Sequence, residues 1–70
     1  MSSKTSYDPI PNVELDAKLV HAAMHGTFMH AAMNYGLKPD EALARAAWLK
    51  KQPDAYVLQV AEKVNALHSH

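Results

Sequence analysis

The sequence predicts an all-α protein, a three-helix domain with one long central helix followed by two shorter helices, assembled as a helical homodimer. Three observations support this prediction. Apolar residues recur every three or four positions along most of the chain, which is the spacing of amphipathic helices. No segment alternates polar and apolar residues over the length of a strand. Gly36, Pro39 and Pro53 then divide the helical pattern into three parts.

The first helix, residues 13–35, is the longest predicted element. Asn12 is a good N-cap, because its side-chain oxygen can accept a hydrogen bond from a free N–H group of the first turn. Gly36 ends the helix, because glycine readily adopts the left-handed conformation found after a helix C-terminus. Residues 1–11 are polar and contain two prolines, so they are expected to form a flexible N-terminal arm.

Two shorter helices follow with little connecting chain. Pro39 begins the second, since proline is favoured at the first helical position. Pro53 cannot continue that helix but can begin a third, which extends to about Leu67. A single helical domain is therefore assigned to residues 12–67, with residues 68–70 as a frayed tail.

Size and composition limit the possible functions. A chain of 70 residues buries only about 60% of its unfolded surface, and it has no cysteine with which to add disulfides. Seven Lys and Arg residues balance seven Asp and Glu residues, so the net charge does not favour nucleic acid or an anionic membrane. No apolar run approaches the roughly 20 residues needed to span a bilayer. We expect a cytoplasmic protein with no membrane association.

The first helix carries two apolar stripes on opposite sides, given about 100° of rotation per residue. One stripe consists of Val13, Ala17, Val20, Met24, Phe28, Ala31 and Tyr35. The other consists of Leu15, Leu19, Ala22, Gly26, Met29 and Met33. Two short helices are not expected to cover both stripes, so the second stripe is assigned to self-association in a two-fold dimer. A compact monomer, in which the short helices wrap further round, is the alternative.

The segment HAAM occurs twice, at residues 21–24 and 30–33. Nine residues correspond to two and a half helical turns, so the two copies face opposite sides of an unbroken helix. We interpret the repeat as a coincidence unless Gly26 kinks the helix.

His21 and His25 are the candidate metal ligands. They are four residues apart, a spacing at which two imidazoles on one helical face can share an ion. A zinc site needs a third ligand, which only a second copy of the chain would readily supply. The segment HAAMH also lacks the glutamate of the HExxH metalloprotease motif. We therefore predict no bound metal and no cofactor, and we interpret the methionines of this helix as core or interface residues.

Residues 29–51 have the outline of a helix-turn-helix motif. Asp40 and Glu41 would lead its second helix and repel phosphate, while Arg45, Lys50 and Lys51 supply its cations. Nucleic acid is therefore not the expected partner, and DNA binding is kept as an alternative.

Trp48 is the candidate anchor for a protein partner. It falls with Ala44 and Arg45 on the side of the second helix away from the predicted inward face. An outward tryptophan is typical of an interface, so these three residues are assigned to partner binding. The alternative is that Trp48 covers the edge of the core or packs in the homodimer. The predicted inward face consists of Ala42, Leu43, Ala46 and Leu49.

The sequence thus predicts a small non-enzymatic regulator, an adaptor or inhibitor, that binds itself and another protein. It contains no Ser, His and acid set, no glycine-rich phosphate loop and no clustered carboxylate pair. Two alternatives remain: a dimeric helix-turn-helix transcriptional regulator, and a metal-binding helical protein that uses His21 and His25.

Overall fold

The computed structural model describes residues 8–69 and contains four helices there. They are α1 (Val13–Met24), α2 (Phe28–Asn34), α3 (Pro39–Lys50) and α4 (Asp54–His68). No strand occurs between residues 8 and 69, so the all-α prediction is confirmed for this part of the chain. Residues 1–7 of the predicted arm and His70 of the predicted tail lie outside the described residues.

The prediction of one long first helix is wrong at Gly26, where the chain separates α1 from α2. Gly26 has a φ of +74°, in the left-handed region that favours glycine. The N–H groups of Gly26 and Thr27 donate to the carbonyls of Ala23 and Ala22, over 3.1 and 2.9 Å. This pair of hydrogen bonds is the Schellman motif, which ends a helix.

The same motif ends α2 at Gly36, as the sequence predicts. Gly36 has a φ of +84°, and the N–H groups of Gly36 and Leu37 donate to Met33 and Ala32 over 3.0 and 2.9 Å. The first copy of HAAM forms the last turn of α1, whereas the second ends one residue before the end of α2. The two copies therefore lie at different positions relative to the glycine that follows each helix.

Helix α1 is central because both of its sides are covered within the chain. α4 packs on one side and α2 on the other, while α3 contributes Leu49 to the first side and Ala42 to the second. The buried apolar residues of the two clusters are Ala17, Val60 and Val64 in the first, and Leu19, Ala32 and Ala42 in the second. The predicted exposed stripe is thus wrong at Leu15 and Leu19, which pack in the second cluster. The break at Gly26 is the reason, because it allows α2 to fold against α1.

Helices α1 and α4 run side by side in the same direction. Asn12 is the N-cap of α1, as predicted, and its Oδ1 accepts a 3.1 Å hydrogen bond from the N–H of Leu15. The N–H of Asn12 in turn donates to the hydroxyl of Tyr56, in the first turn of α4, over 2.9 Å. At the other end, the rings of His21 and His68 lie 6.2 Å apart. The C-terminal ends of α1 and α4 are therefore neighbours.

The predicted inward face of α3 is wrong at Leu43, whose side chain is 57% exposed. Arg45, predicted to point outward, is only 2% exposed. Helix α3 is turned about its axis relative to the prediction, because Arg45 reaches inward to Asp16 on α1.

The substitution Gly26→Ala distinguishes a helix break at Gly26 from an unbroken helix, because it should change the stability in opposite directions in the two cases. In an unbroken helix, Gly26→Ala would stabilise the protein by roughly 0.5–1 kcal/mol. With φ at +74°, the same substitution should destabilise it by about 1–2 kcal/mol, because an alanine Cβ is strained there. Apart from Gly26 and its two chain neighbours, no atom lies within 4 Å of that Cβ, so a clash with a packed neighbour does not contribute.

Urea denaturation followed by circular dichroism measures this difference. Gly36→Ala is the matched control, since both alternatives place Gly36 at a helix end, and it should be destabilised by a similar amount. A Gly26→Ala variant that is more stable and more helical than wild type would contradict the break.

Candidate functional site

An open apolar groove lies between α1 and α3, and Phe28 of α2 also lines it. Its volume is about 420 Å³, which is within the range of 300–1,000 Å³ typical of ligand pockets. The residues that line this groove are Asp16, Leu19, Val20, Ala23, Phe28, Leu43, Arg45, Ala46, Leu49 and Lys50. The groove is thus an apolar surface that crosses three helices, with a polar contact beneath it.

A buried ion pair forms the floor of the groove. Arg45 Nε donates to Asp16 Oδ1 over 2.5 Å, and the two side chains are 2% and 1% exposed. Arg45 Nη2 also donates to the backbone carbonyl of Ile10 over 2.8 Å. The pair joins α3 to α1 and to the segment before α1. Because the two charges neutralise each other, they can lie beneath an apolar surface.

Tyr56 completes the polar network from α4. Its hydroxyl donates to the second carboxylate oxygen of Asp16 and accepts from the N–H of Asn12. Burial raises the pKa of Tyr56, and the hydrogen bond that its protonated form donates to Asp16 raises that pKa further. Among residues 8–69, no buried side-chain nitrogen or oxygen lacks a hydrogen-bond partner. The network therefore fixes three helices with fully satisfied polar groups.

The predicted partner-binding residues are mostly engaged inside the fold. The prediction that Arg45 is an exposed contact is wrong, because Arg45 is buried in the ion pair. Its guanidinium also lies 5.1 Å from the centre of the Trp48 ring. Trp48 is half-buried and meets the Tyr56 ring edge-on, with 5.8 Å between centroids, and Ala44 is half-buried too. Trp48 thus partly covers the network, the alternative that the sequence left open.

The helix-turn-helix alternative is weakened by the same geometry. Helices α2 and α3 do follow one another across a short turn. However, Arg45 lies in the core, so it cannot reach a phosphate group. Lys50 remains as the exposed cation within α3, with Lys51 just after its end. A helix whose first turn carries Asp40 and Glu41 then has little positive surface for DNA.

Further apolar surface adjoins the groove. A neighbouring depression of about 290 Å³ lies between α1, α3 and α4, and it shares Val20 and Leu49 with the groove. Met24 and Val57 border it and are exposed. Two predicted self-association residues, Met29 and Met33, are exposed elsewhere on α2, while Ala22 is half-buried and Gly26 is exposed.

Three histidines come together at the opposite end of α1 from Asn12. His21 lies in the last turn of α1 and His25 is its C-cap; these two are the candidate pair from the sequence. His68, in the last turn of α4, lies beside them. One ring nitrogen of each lies within 4.8 Å of the others. Sequence analysis missed His68 because it assigned that residue to the tail. The sequence does show a histidine near the end of the last predicted helix. It does not show that His68 lies beside His21 and His25, because that depends on how the helices pack.

Comparison of the chain with protein-family models, with curated proteins and with solved structures gave no match. Of the helices between residues 8 and 69, none is long and apolar enough to cross a membrane. The function must therefore be inferred from the groove and the side-chain clusters themselves.

Removal of one partner from the ion pair should strongly destabilise the protein. Arg45→Met leaves the buried carboxylate of Asp16 without its counter-charge, and such losses cost about 3–5 kcal/mol. The double variant Asp16→Leu with Arg45→Met should recover part of this loss, because it leaves no buried charge. Urea denaturation gives the free energies of unfolding. Lys51→Met, at an exposed lysine, is the control and should change stability by less than about 0.5 kcal/mol. Equal stabilities of Arg45→Met and Lys51→Met would contradict the buried pair.

Stability should also fall at high pH because of Tyr56. The folded protein holds the pKa of Tyr56 above its ordinary value near 10, so the unfolded chain loses this proton first. The stabilisation is therefore complete below about pH 10 and is lost as pH rises from there through the folded pKa. In Tyr56→Phe this part of the decrease should be absent. Denaturation midpoints measured from pH 8 to 11.5 test this, and parallel curves for the two proteins would contradict it.

Proposed function

We propose that the protein is a small non-enzymatic binding protein that acts as a homodimer, and that the apolar groove between α1 and α3 is its dimer interface. The second copy would bury the groove, while the remaining surface would contact a different protein as an adaptor or inhibitor. The observation that carries the proposal is the imbalance between buried and exposed apolar side chains.

The core within one chain is small. Between residues 8 and 69, six apolar residues are buried, and three of them are the alanines Ala17, Ala32 and Ala42. Eight larger apolar side chains in the same range are exposed, among them Met24, Leu43, Val57 and Leu58. A chain of this size has a marginal core, and association with another copy is one way to bury the missing area.

The groove is suited to a two-fold contact with itself. A two-fold interface uses the same patch on both copies, so the patch needs both a depression and a projecting group. The groove supplies the depression, and Leu43 on its rim supplies an exposed side chain that can enter the groove of a second copy. The adjoining depression, bordered by Met24 and Val57, extends the apolar area of the same patch.

Electrostatics does not oppose the approach of two copies. The formal net charge is zero, and Asp16 and Arg45 neutralise each other beneath the groove. Lys50 is the exposed charged residue in the lining, and the ammonium group of a long side chain at a rim can remain in water. Apolar contact therefore dominates the proposed interface.

The proposed surface for a foreign protein lies outside the groove. Arg45 cannot contribute to it, so Trp48 and Ala44 remain from the predicted set, each half-buried. Leu58 on α4 is 62% exposed and adds apolar area that the groove dimer leaves open. This assignment depends on the dimer proposal, because a different interface would change which surface is free.

A charge at Leu43, the side chain that would enter the groove of the second copy, should dissociate the dimer. Leu43→Lys places an ammonium group where the second copy would bury it, and we expect the dimer dissociation constant to rise about tenfold or more. The side chain is exposed in one chain, so the variant should still fold. Sedimentation equilibrium over a range of concentrations measures the constant. Leu58→Lys is the matched control, since Leu58 is similarly exposed but outside the groove, and it should leave the dimer intact.

Met33→Lys distinguishes a dimer formed through the groove from a dimer formed through the second apolar stripe, to which Met33 belongs. Met33 is 60% exposed on α2 and does not line the groove. If Met33→Lys dissociates the dimer and Leu43→Lys does not, the interface lies on α2. A wild-type protein that stays monomeric at all concentrations would overturn the proposal.

A further inference from the structure

We propose that His21, His25 and His68 form a binding site for one divalent transition-metal ion, of the zinc type, in each chain. The site lies at the adjacent C-terminal ends of α1 and α4, away from the ion pair and Tyr56. Its ligands would be three neutral imidazoles.

The positions of the ring nitrogens support a shared ion. His21 and His25 are one helical turn apart, and their ring centroids are 4.7 Å apart. His68 approaches both rings, with centroid distances of 6.2 and 6.4 Å. One nitrogen of each ring lies within 4.8 Å of the others. Stacking of aromatic rings alone would not require the nitrogens to converge in this way.

A small rotation of the side chains would complete the geometry. Zinc binds imidazole nitrogen at about 2.0–2.1 Å, so the nitrogens of a tetrahedral site lie roughly 3.4 Å apart. His25 and His68 are exposed, and their rings can turn through the remaining distance without displacing core residues. The backbone already places all three residues, because His21 is in the last turn of α1, His25 is its C-cap and His68 is on the helix packed beside it.

The two helix ends favour a cation at this position. Each helix C-terminus carries about half a negative charge, and here two such ends lie side by side. The basic residues in the last turns of α1 and α4 are His21 and His68, with no lysine or arginine in those turns. A bound cation would therefore reduce the repulsion between the ends without competing with a fixed positive charge.

The donor set selects the class of ion. Imidazole favours zinc, copper and nickel, whereas magnesium and calcium prefer carboxylate and carbonyl oxygen. Three protein ligands leave one tetrahedral position for water, as in zinc sites that can exchange a ligand. Each chain would therefore hold one ion, with all of the protein ligands from that same chain.

Zinc titration of the metal-free, full-length protein tests the site. Isothermal titration calorimetry should give one ion per chain for wild type and for His30→Ala, whose histidine is exposed on α2 outside the cluster. His68→Ala and His25→Ala should bind zinc at least about tenfold more weakly, because each loses a direct ligand. Both residues are exposed, and unchanged circular dichroism would show that the variants fold.

Two results would overturn the proposal. One is a His68→Ala variant that binds within threefold of wild type, since the third ligand would then be dispensable. The other is one ion per two chains, which would mean that the ligands come from different copies.

Nuclear magnetic resonance supplies a readout that does not depend on affinity. Zinc should shift the imidazole nitrogen signals of His21, His25 and His68 and leave those of His30 unchanged. It should also slow amide exchange in the last turn of α4, because the ion ties that turn to α1. Shifts confined to His21 and His25 would contradict the three-ligand site.

Discussion

The buried contact between Asp16 and Arg45 determines how the helices fit together. Two charges in a core are costly unless they are paired and their remaining hydrogen-bonding atoms are satisfied. Here one carboxylate receives hydrogen bonds from Arg45 and Tyr56, while Arg45 also reaches the carbonyl of Ile10. These bonds are directional, so they fix the rotation of α3 about its axis and the position of α4 beside α1. The exposure of Leu43 and the opening of the groove both follow from that rotation.

The alanine content of the chain explains why so much apolar surface stays outside. Alanines at the centres of both clusters let the helices approach closely, but each buries little area. The larger side chains that could have filled the core, such as Leu43 and Met24, border the groove and its neighbouring depression. A fold held by a polar network and small residues is thus left with an apolar surface for association.

The helix break at Gly26 affects both candidate sites. It allows α2 to cover one side of α1, and an apolar groove stays open between α1 and α3. It also turns His21 and His25 from mid-helix residues into a helix end, beside the parallel end of α4 and His68. In an unbroken helix the same pair would have neither the partial negative charge of a terminus nor this third histidine.

The sequence alone determined the helical class, the N-cap at Asn12, the helix end at Gly36 and the start of α3 at Pro39, because each depends on local hydrogen bonds and backbone conformation. The candidate pair His21 and His25 was likewise visible from spacing on one helix. Only the tertiary structure decided that Gly26 ends a helix, since a single glycine inside a helical pattern fits both an interior and an end. It also paired Asp16 with Arg45, 29 residues away, and brought His68 to the histidine pair. Contacts between distant residues depend on the packing and rotation of whole helices, which the local pattern does not specify.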